Sequence, residues 1–132
     1  MDKVSKVNVI ETRAAQVWKK EGICYVRIKN KSRVNLDDVM ETDIVFEKFA
    51  DGEKLLILAD ISQIRYVTFE ARKYRATSPL NDQIMALVLI INNPVAKLIG
   101  NFFIGMNKPQ FPVKLFNSKS DGVDWLRVHA QL

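Results

Sequence analysis

The sequence of 132 residues contains few of the residues that build disulfide, metal or fibrous proteins: one Cys, one His, five Gly and four Pro. One Cys cannot form an internal disulfide, and one His with one Cys cannot build a thiol and imidazole metal cluster. With 48% hydrophobic residues, the composition excludes a collagen-like or disordered chain. A chain of this length can bury roughly two-thirds of its unfolded surface. We therefore predict a single globular domain over residues 1–132, without metal or cofactor.

Long apolar runs are also missing. The longest run, Ile84 to Ile91, has eight residues, whereas a membrane-spanning helix needs about 20. The first residues lack the apolar region and the small-residue cleavage site of a secretion signal. We expect a cytoplasmic protein without stable membrane insertion.

Positive charge is in excess, with 20 Lys and Arg against 15 Asp and Glu. The excess is concentrated in residues 1–35, where nine basic side chains face three acidic ones. These charges alternate with apolar residues along predicted strands, and they are not accompanied by the aromatic residues and glycine-rich loops typical of nucleic-acid binders. They indicate a solvated sheet edge, so we predict no nucleic-acid partner.

Hydrophobic periodicity and capping residues predict the order β, β, α, β, α, β, α, β, α. The first two strands form a hairpin that turns at Glu21–Gly22, and Cys24 lies on an apolar face of the second strand. The segments 54–60 and 84–91 are apolar on both faces, a pattern typical of central parallel strands. The predicted fold class is α/β, with a mixed, mostly parallel sheet of about five strands, an N-terminal hairpin and about four helices.

Each predicted helix begins at a side chain that can cap it. Asn35 begins a helix that runs to Ala50 and ends at Asp51–Gly52. The later caps are Thr68, Asn93 with Pro94 after it, and Ser118.

The segment Asp60–Val67 lies between a buried strand and a capped helix, and with the element order it resembles the STAS domain of bacterial anti-sigma-factor antagonists, the SpoIIAA-like fold. Further segments are similar to an uncharacterised bacterial family near STAS and SEC14-type domains: 70–74, 93–95, 99–103, 107–109 and 114–116. The STAS resemblance implies partner switching, with phosphorylation of a Ser at the start of the helix after the third strand. Phe69 stands at that position here, and the only hydroxyl is that of Thr68, which we interpret as a helix cap.

Two sets of polar residues are candidate sites. One follows the carboxyl ends of the predicted parallel strands, where such sheets bind ligands: Asp60, Ser62, Thr68, Asn92 and Asn93. The alternative interpretation is that these side chains cap helices and stabilise turns. The second set is a basic cluster, Arg72, Lys73 and Arg75, which is either a patch for an anion or an acidic partner, or a solvated helix face.

The helix predicted from Pro94 to Asn107 is apolar over more than one face and contains Gly100 and Gly105. Each Gly costs about 1 kcal/mol relative to Ala in a helix, so we expect close approach of another backbone or of a ligand. The helix is either well buried against the sheet or presents apolar side chains to a partner subunit or a lipid-like molecule. The candidate surface comprises Phe102, Phe103, Ile104 and Met106.

Two functions remain open. No activated nucleophile accompanies the carboxylates or the single His129, so an enzyme using the Asp60 and Asn92 neighbourhood has the least support. The first hypothesis is a non-enzymatic STAS-like interaction or regulatory module that binds a protein, with a homodimer expected because apolar sheet faces need cover. It predicts no large internal cavity. The alternative is a SEC14-like binder or sensor of an apolar small molecule or lipid, which requires an enclosed pocket.

Overall fold

The computed structural model describes residues 8–30, 32–107 and 110–130. The strands are β1 (Ile10–Glu11), β2 (Ala15–Lys20), β3 (Ile23–Ile28), β4 (Ser32–Val34), β5 (Leu55–Asp60), β6 (Ile64–Val67), β7 (Ile84–Ile90) and β8 (Val113–Phe116). The helices are α1 (Leu36–Ala50), α2 (Phe69–Thr77), α3 (Pro94–Asn107) and α4 (Lys119–Ala130), with a 3₁₀ helix at Pro79–Gln83.

The main sheet has six strands in the order β1-β2-β3-β5-β7-β8. Strands β1, β2 and β3 pair in antiparallel orientation, and β3, β5, β7 and β8 pair in parallel. The sheet is therefore mixed and mostly parallel, as predicted. The hairpin turns at Glu21 and Gly22, both with positive φ, as a two-residue turn between twisted strands demands.

Two strands differ from the prediction. The expected first strand is divided, because the side chain and N–H of Thr12 bond to Ala15 and separate β1 from β2, which makes six strands rather than about five. In addition, β6 pairs in parallel with β4 as a small second sheet, where the sequence indicated a loop. Strands of three and four residues carry too little alternation to be recognised.

The helix caps confirm the sequence interpretation. The Asn35 side chain accepts a hydrogen bond from the N–H of Asp38, and the Asp38 carboxylate accepts one from the N–H of Asn35. Helix α1 ends at Asp51 in the left-handed region. The hydroxyl of Thr68 accepts from the N–H of Ala71, and the Asn93 amide oxygen accepts from the N–H of Ala96.

Helices cover both faces of the main sheet. Residues of α1 and α3, including Phe46 and Ala96, pack with Ile57 on one face. On the opposite face, Leu126 of α4 packs with the central strand residues, among them Leu58. The central strands therefore need no second subunit to cover them, and this argument for self-association is wrong.

The glycines of α3 have different surroundings. A Cβ on Gly100 would lie 3.0 Å from Leu115 Cδ2, so the close neighbour there is a side chain and not the backbone that the sequence led us to expect. A Cβ on Gly105 would meet no described atom within 4 Å, so the same expectation is wrong there.

Candidate functional site

A cavity of about 190 Å³ lies between the main sheet and helices α1, α2 and α3. Its lining is apolar except for Asp38, Thr42, Arg72 and Arg75. The cavity is partly open to solvent, so it is neither the large internal cavity that the interaction module excludes nor the enclosed pocket that the small-molecule hypothesis requires, and both expectations stay predictions.

Asp38 is held beside this cavity by an ion pair. Its carboxylate accepts hydrogen bonds from both Nε and Nη2 of Arg13, the first at 2.8 Å. Burial acts to raise the pKa of Asp38, but the hydrogen bonds from Arg13 and from the Asn35 N–H, with the charge of Arg13, outweigh it and leave the pKa below its usual value. Asp38 is thus a carboxylate whose negative charge is balanced by Arg13, and its hydrogen bond from the Asn35 N–H orders the start of α1.

A second ion pair, which was not predicted from the sequence, joins α1 to α2. Asp43 is buried, pairs with Nη1 of Arg75 and accepts a 2.6 Å hydrogen bond from the Ser78 hydroxyl. Nη2 of Arg75 donates to Asn81 Oδ1 at 3.0 Å. The available signal was a carboxylate within the apolar stripe of a helix, because such a group needs a cation when buried.

The predicted basic cluster does not form one patch. Arg75 is engaged with Asp43, whereas Lys73 is exposed. Arg72 is half-buried, lines the cavity and stacks its guanidinium over the Phe102 ring, 4.8 Å from the centroid. Its Nε is buried without a hydrogen-bond partner among the residues that the structure describes.

The outer side of α3 exposes a stripe of apolar side chains. Val95, Leu98 and Phe102 follow one another at helical spacing and are 41%, 71% and 45% exposed. Phe69, 58% exposed, lies one turn before Arg72 on α2, and Arg72 contacts Phe102. We call Phe69, Val95, Leu98 and Phe102 the α2–α3 face.

The predicted apolar surface is divided between the two sides of α3. Phe102 belongs to the α2–α3 face, whereas Phe103 is half-buried and lines the cavity. Ile104 is half-buried, and the side chain of Met106 lies outside the described residues. Sequence reasoning missed Leu98, the most exposed member of the stripe, although its spacing from Phe102 was visible.

Four of the five predicted strand-end residues lie together. Asp60 Oδ1 accepts from the N–H of Ser62, and Asn93 Nδ2 donates to the Ser62 carbonyl at 2.6 Å and to Asn92 Oδ1 at 3.1 Å. These are bonds of turns and helix caps. Thr68 caps α2, and its N–H donates to the carbonyl of Val34, so no bond joins it to the group. A ligand-binding role for this set stays a prediction.

Three further observations limit the chemistry of the described residues. Cys24 is fully buried, and burial raises the pKa of its thiol to about 11, as expected of a core residue. Within residues 8–30, 32–107 and 110–130, no three His, Cys, Asp or Glu side chains converge to hold a metal ion. Over the same ranges, every helix is too short or too polar to cross a membrane.

Comparison with known proteins places the fold. The sequence profile of a family described as a domain of unknown function, DUF7793, matches residues 17–130. No curated protein matches the sequence. An uncharacterised DUF3478-family protein with a SpoIIAA-like fold from Shewanella loihica is similar, with a TM-score of 0.62 and 12% identity over 91% of each chain.

An anti-sigma factor antagonist from Mycobacterium paratuberculosis is similar as well. Its TM-score is 0.60 at 12% identity, over 92% of this chain and 94% of that chain. At this identity the two likenesses show the fold, and they confirm the SpoIIAA-like α/β architecture that the sequence predicts.

Proposed function

This chain belongs to the DUF7793 family, and from that premise we propose that it is a non-enzymatic regulatory module of the bacterial cytoplasm that binds a protein, with a second copy of the chain as the partner. The whole of residues 1–132 is taken as one such module.

The observation that carries the proposal is the α2–α3 face. Soluble monomers scatter single apolar residues over their surface, whereas a contiguous patch marks an interaction site. Val128 is the only large exposed hydrophobic residue of the described part of α4, and on α1 there are two, Met40 and Ile44. Three such residues, Val95, Leu98 and Phe102, instead follow one another on α3, and Phe102 contacts Arg72, one turn after Phe69 on α2.

Two further points support this function. An apolar helical stripe is self-complementary across a twofold axis, since the same residues of two copies face each other. The structural neighbour from Mycobacterium is itself an anti-sigma factor antagonist, a protein named for its action in regulation.

The test is the oligomeric state of matched variants. Leu98→Glu places a charge at the centre of the face, and Val128→Glu places the same charge on α4, on the opposite side of the sheet. We expect the unchanged chain to dimerise in sedimentation experiments, with the dissociation constant raised by more than about tenfold in Leu98→Glu and by less than about twofold in Val128→Glu.

Circular dichroism of both variants is the control for folding. An unchanged chain that stays monomeric up to about 1 mM contradicts the homodimer. Equal weakening by the two variants contradicts the α2–α3 face as the interface.

The cavity favours a second candidate function, the binding of an apolar small molecule. Such sites are typically concave and mostly apolar, with a few placed polar groups. The cavity fits this description, because its lining is apolar apart from a few polar side chains, among them Arg72.

A further inference from the structure

The size of the cavity limits what it can hold. An apolar cavity of about 150 Å³ in another protein binds benzene, with six non-hydrogen atoms. By proportion, about 190 Å³ accommodates about eight. A diacyl lipid, with several tens of such atoms, does not fit. The ligand that we infer for this cavity is therefore much smaller than the lipid of the SEC14-like hypothesis.

The charges around the cavity select the chemistry of that molecule. Two other charged residues of the lining are already paired, Asp38 with Arg13 and Arg75 with Asp43. Arg72 forms no ion pair among the described residues, although it lines the same cavity. One cation without a counter-charge at an apolar cavity is complementary to an apolar molecule with one negative charge.

The position of Arg72 strengthens this match. Its Nε is an N–H donor that is buried without a partner in the described part of the chain, and buried donors are nearly always bonded in folded proteins. Phe102 stacks on the guanidinium and restricts its orientation. A carboxylate of the ligand supplies the missing counter-charge, since guanidinium and carboxylate match in planar, bidentate geometry.

We propose that the cavity binds a small aromatic or short-chain carboxylic acid of about eight non-hydrogen atoms, with its carboxylate on Arg72 and its apolar body among Phe103, Ile99 and Leu89. This inference rests on the second candidate function.

The experiment titrates the full chain with benzoate and hexanoate, and with their primary amides as neutral compounds of the same shape. Binding is followed by NMR. We expect at least one acid to bind with a dissociation constant below about 1 mM, and its amide to bind at least about tenfold more weakly.

Matched variants locate the carboxylate. Arg72→Met and Lys73→Met remove the same charge from neighbouring positions of α2, but only Arg72 lines the cavity. We expect Arg72→Met to weaken binding of the acid by at least about tenfold and Lys73→Met by less than about twofold. Ala71→Leu, which fills the cavity from the same helix, is expected to abolish binding.

Several results overturn the inference: no binding of any acid up to about 10 mM, amides that bind as tightly as acids, or equal weakening in Arg72→Met and Lys73→Met. If Ala71→Leu does not fold, the Arg72 and Lys73 pair still decides. Sedimentation of the same samples separates the two proposals, because a chain that dimerises without binding acids contradicts only this one. A monomer that binds them contradicts only the dimer.

Discussion

The two faces of the main sheet are packed in different ways, although their residues alternate along the same strands. Under α4 the packing is close, since a Cβ on Gly122 would lie 2.8 Å from Val88 Cγ1 and 3.4 Å from Leu58 Cδ1. Under α1, α2 and α3 the layers leave a cavity of about 190 Å³. Stability and binding capacity are therefore expected to lie on opposite faces of one sheet.

The faces also differ in how their helices are held. Helix α4 rests on the strands through Leu126, which has no exposed surface, and through Gly122. Helix α1 is tied to the rest of its layer by two ion pairs, to Arg13 and Arg75. Because directional pairs fix the helices at defined positions, the layer can be ordered without filling its interior.

The largest expected effect separates the two faces directly. Leu58→Ala removes a side chain from the close-packed face, and we expect it to lower the free energy of unfolding by about 3–5 kcal/mol. Leu89→Ala removes one beside the cavity, where fewer neighbours are lost, and we expect about 2 kcal/mol. Urea denaturation measures both. Equal losses would contradict the difference in packing.

The second prediction concerns the tie between α1 and α2. Arg75→Met leaves the buried Asp43 without its cation, and we expect a loss of about 2–3 kcal/mol, because an unpaired buried charge is costly. Lys73→Met, which removes an exposed charge from the same helix, serves as the control and should change stability by less than about 0.5 kcal/mol. A smaller loss for Arg75→Met than for this control would show that packing alone holds the layer.

The third prediction concerns substitutions that add side-chain atoms to each face instead of removing them. Gly122→Ala should destabilise by about 1 kcal/mol, since the crowding at Val88 outweighs the roughly 1 kcal/mol that Ala gains over Gly in a helix. Ala71→Leu adds more atoms but enters the cavity, so we expect its melting temperature to equal or exceed that of the unchanged protein. A melting temperature raised by Gly122→Ala and lowered by Ala71→Leu would invert the comparison.

The smallest effect is a dependence on pH. The pKa of Asp38 is lower in the folded than in the unfolded chain, so the contribution of its ion pair is present above about pH 4 and is lost as the pH falls through the folded-state pKa. Arg13→Gln should therefore be less stable than the unchanged protein at pH 7, with the difference shrinking from about pH 5 to about pH 2.

Urea denaturation over this pH range measures the difference. The control is Arg65→Gln, at an exposed position of β6. A difference that stays constant across the range would mean that Arg13 does not act through the charge of Asp38.

Local signals predicted most of the fold. The caps Asn35, Thr68 and Asn93 each begin a helix where expected, because a capping side chain acts within three residues of its own position. The short pairing of β4 with β6 escaped prediction, since it depends on two segments about 30 residues apart.

The candidate site was less predictable. The sequence singled out Arg72 and Phe103, but as members of two separate groups, a basic cluster and an apolar helix face. Only the tertiary structure shows that both line one cavity. The ion pair of Asp43 was not predicted, since its partner Arg75 lies 32 positions away and on another helix.

What the sequence determined by itself is the set of elements and their order, because hydrophobic period, caps and turn residues act over a few neighbouring positions. The tertiary structure alone decided which face is filled and which is left open. A gap of this kind arises from the distances between whole layers, and those distances depend on contacts such as Gly122 with Val88 and Arg75 with Asp43 that join remote parts of the chain.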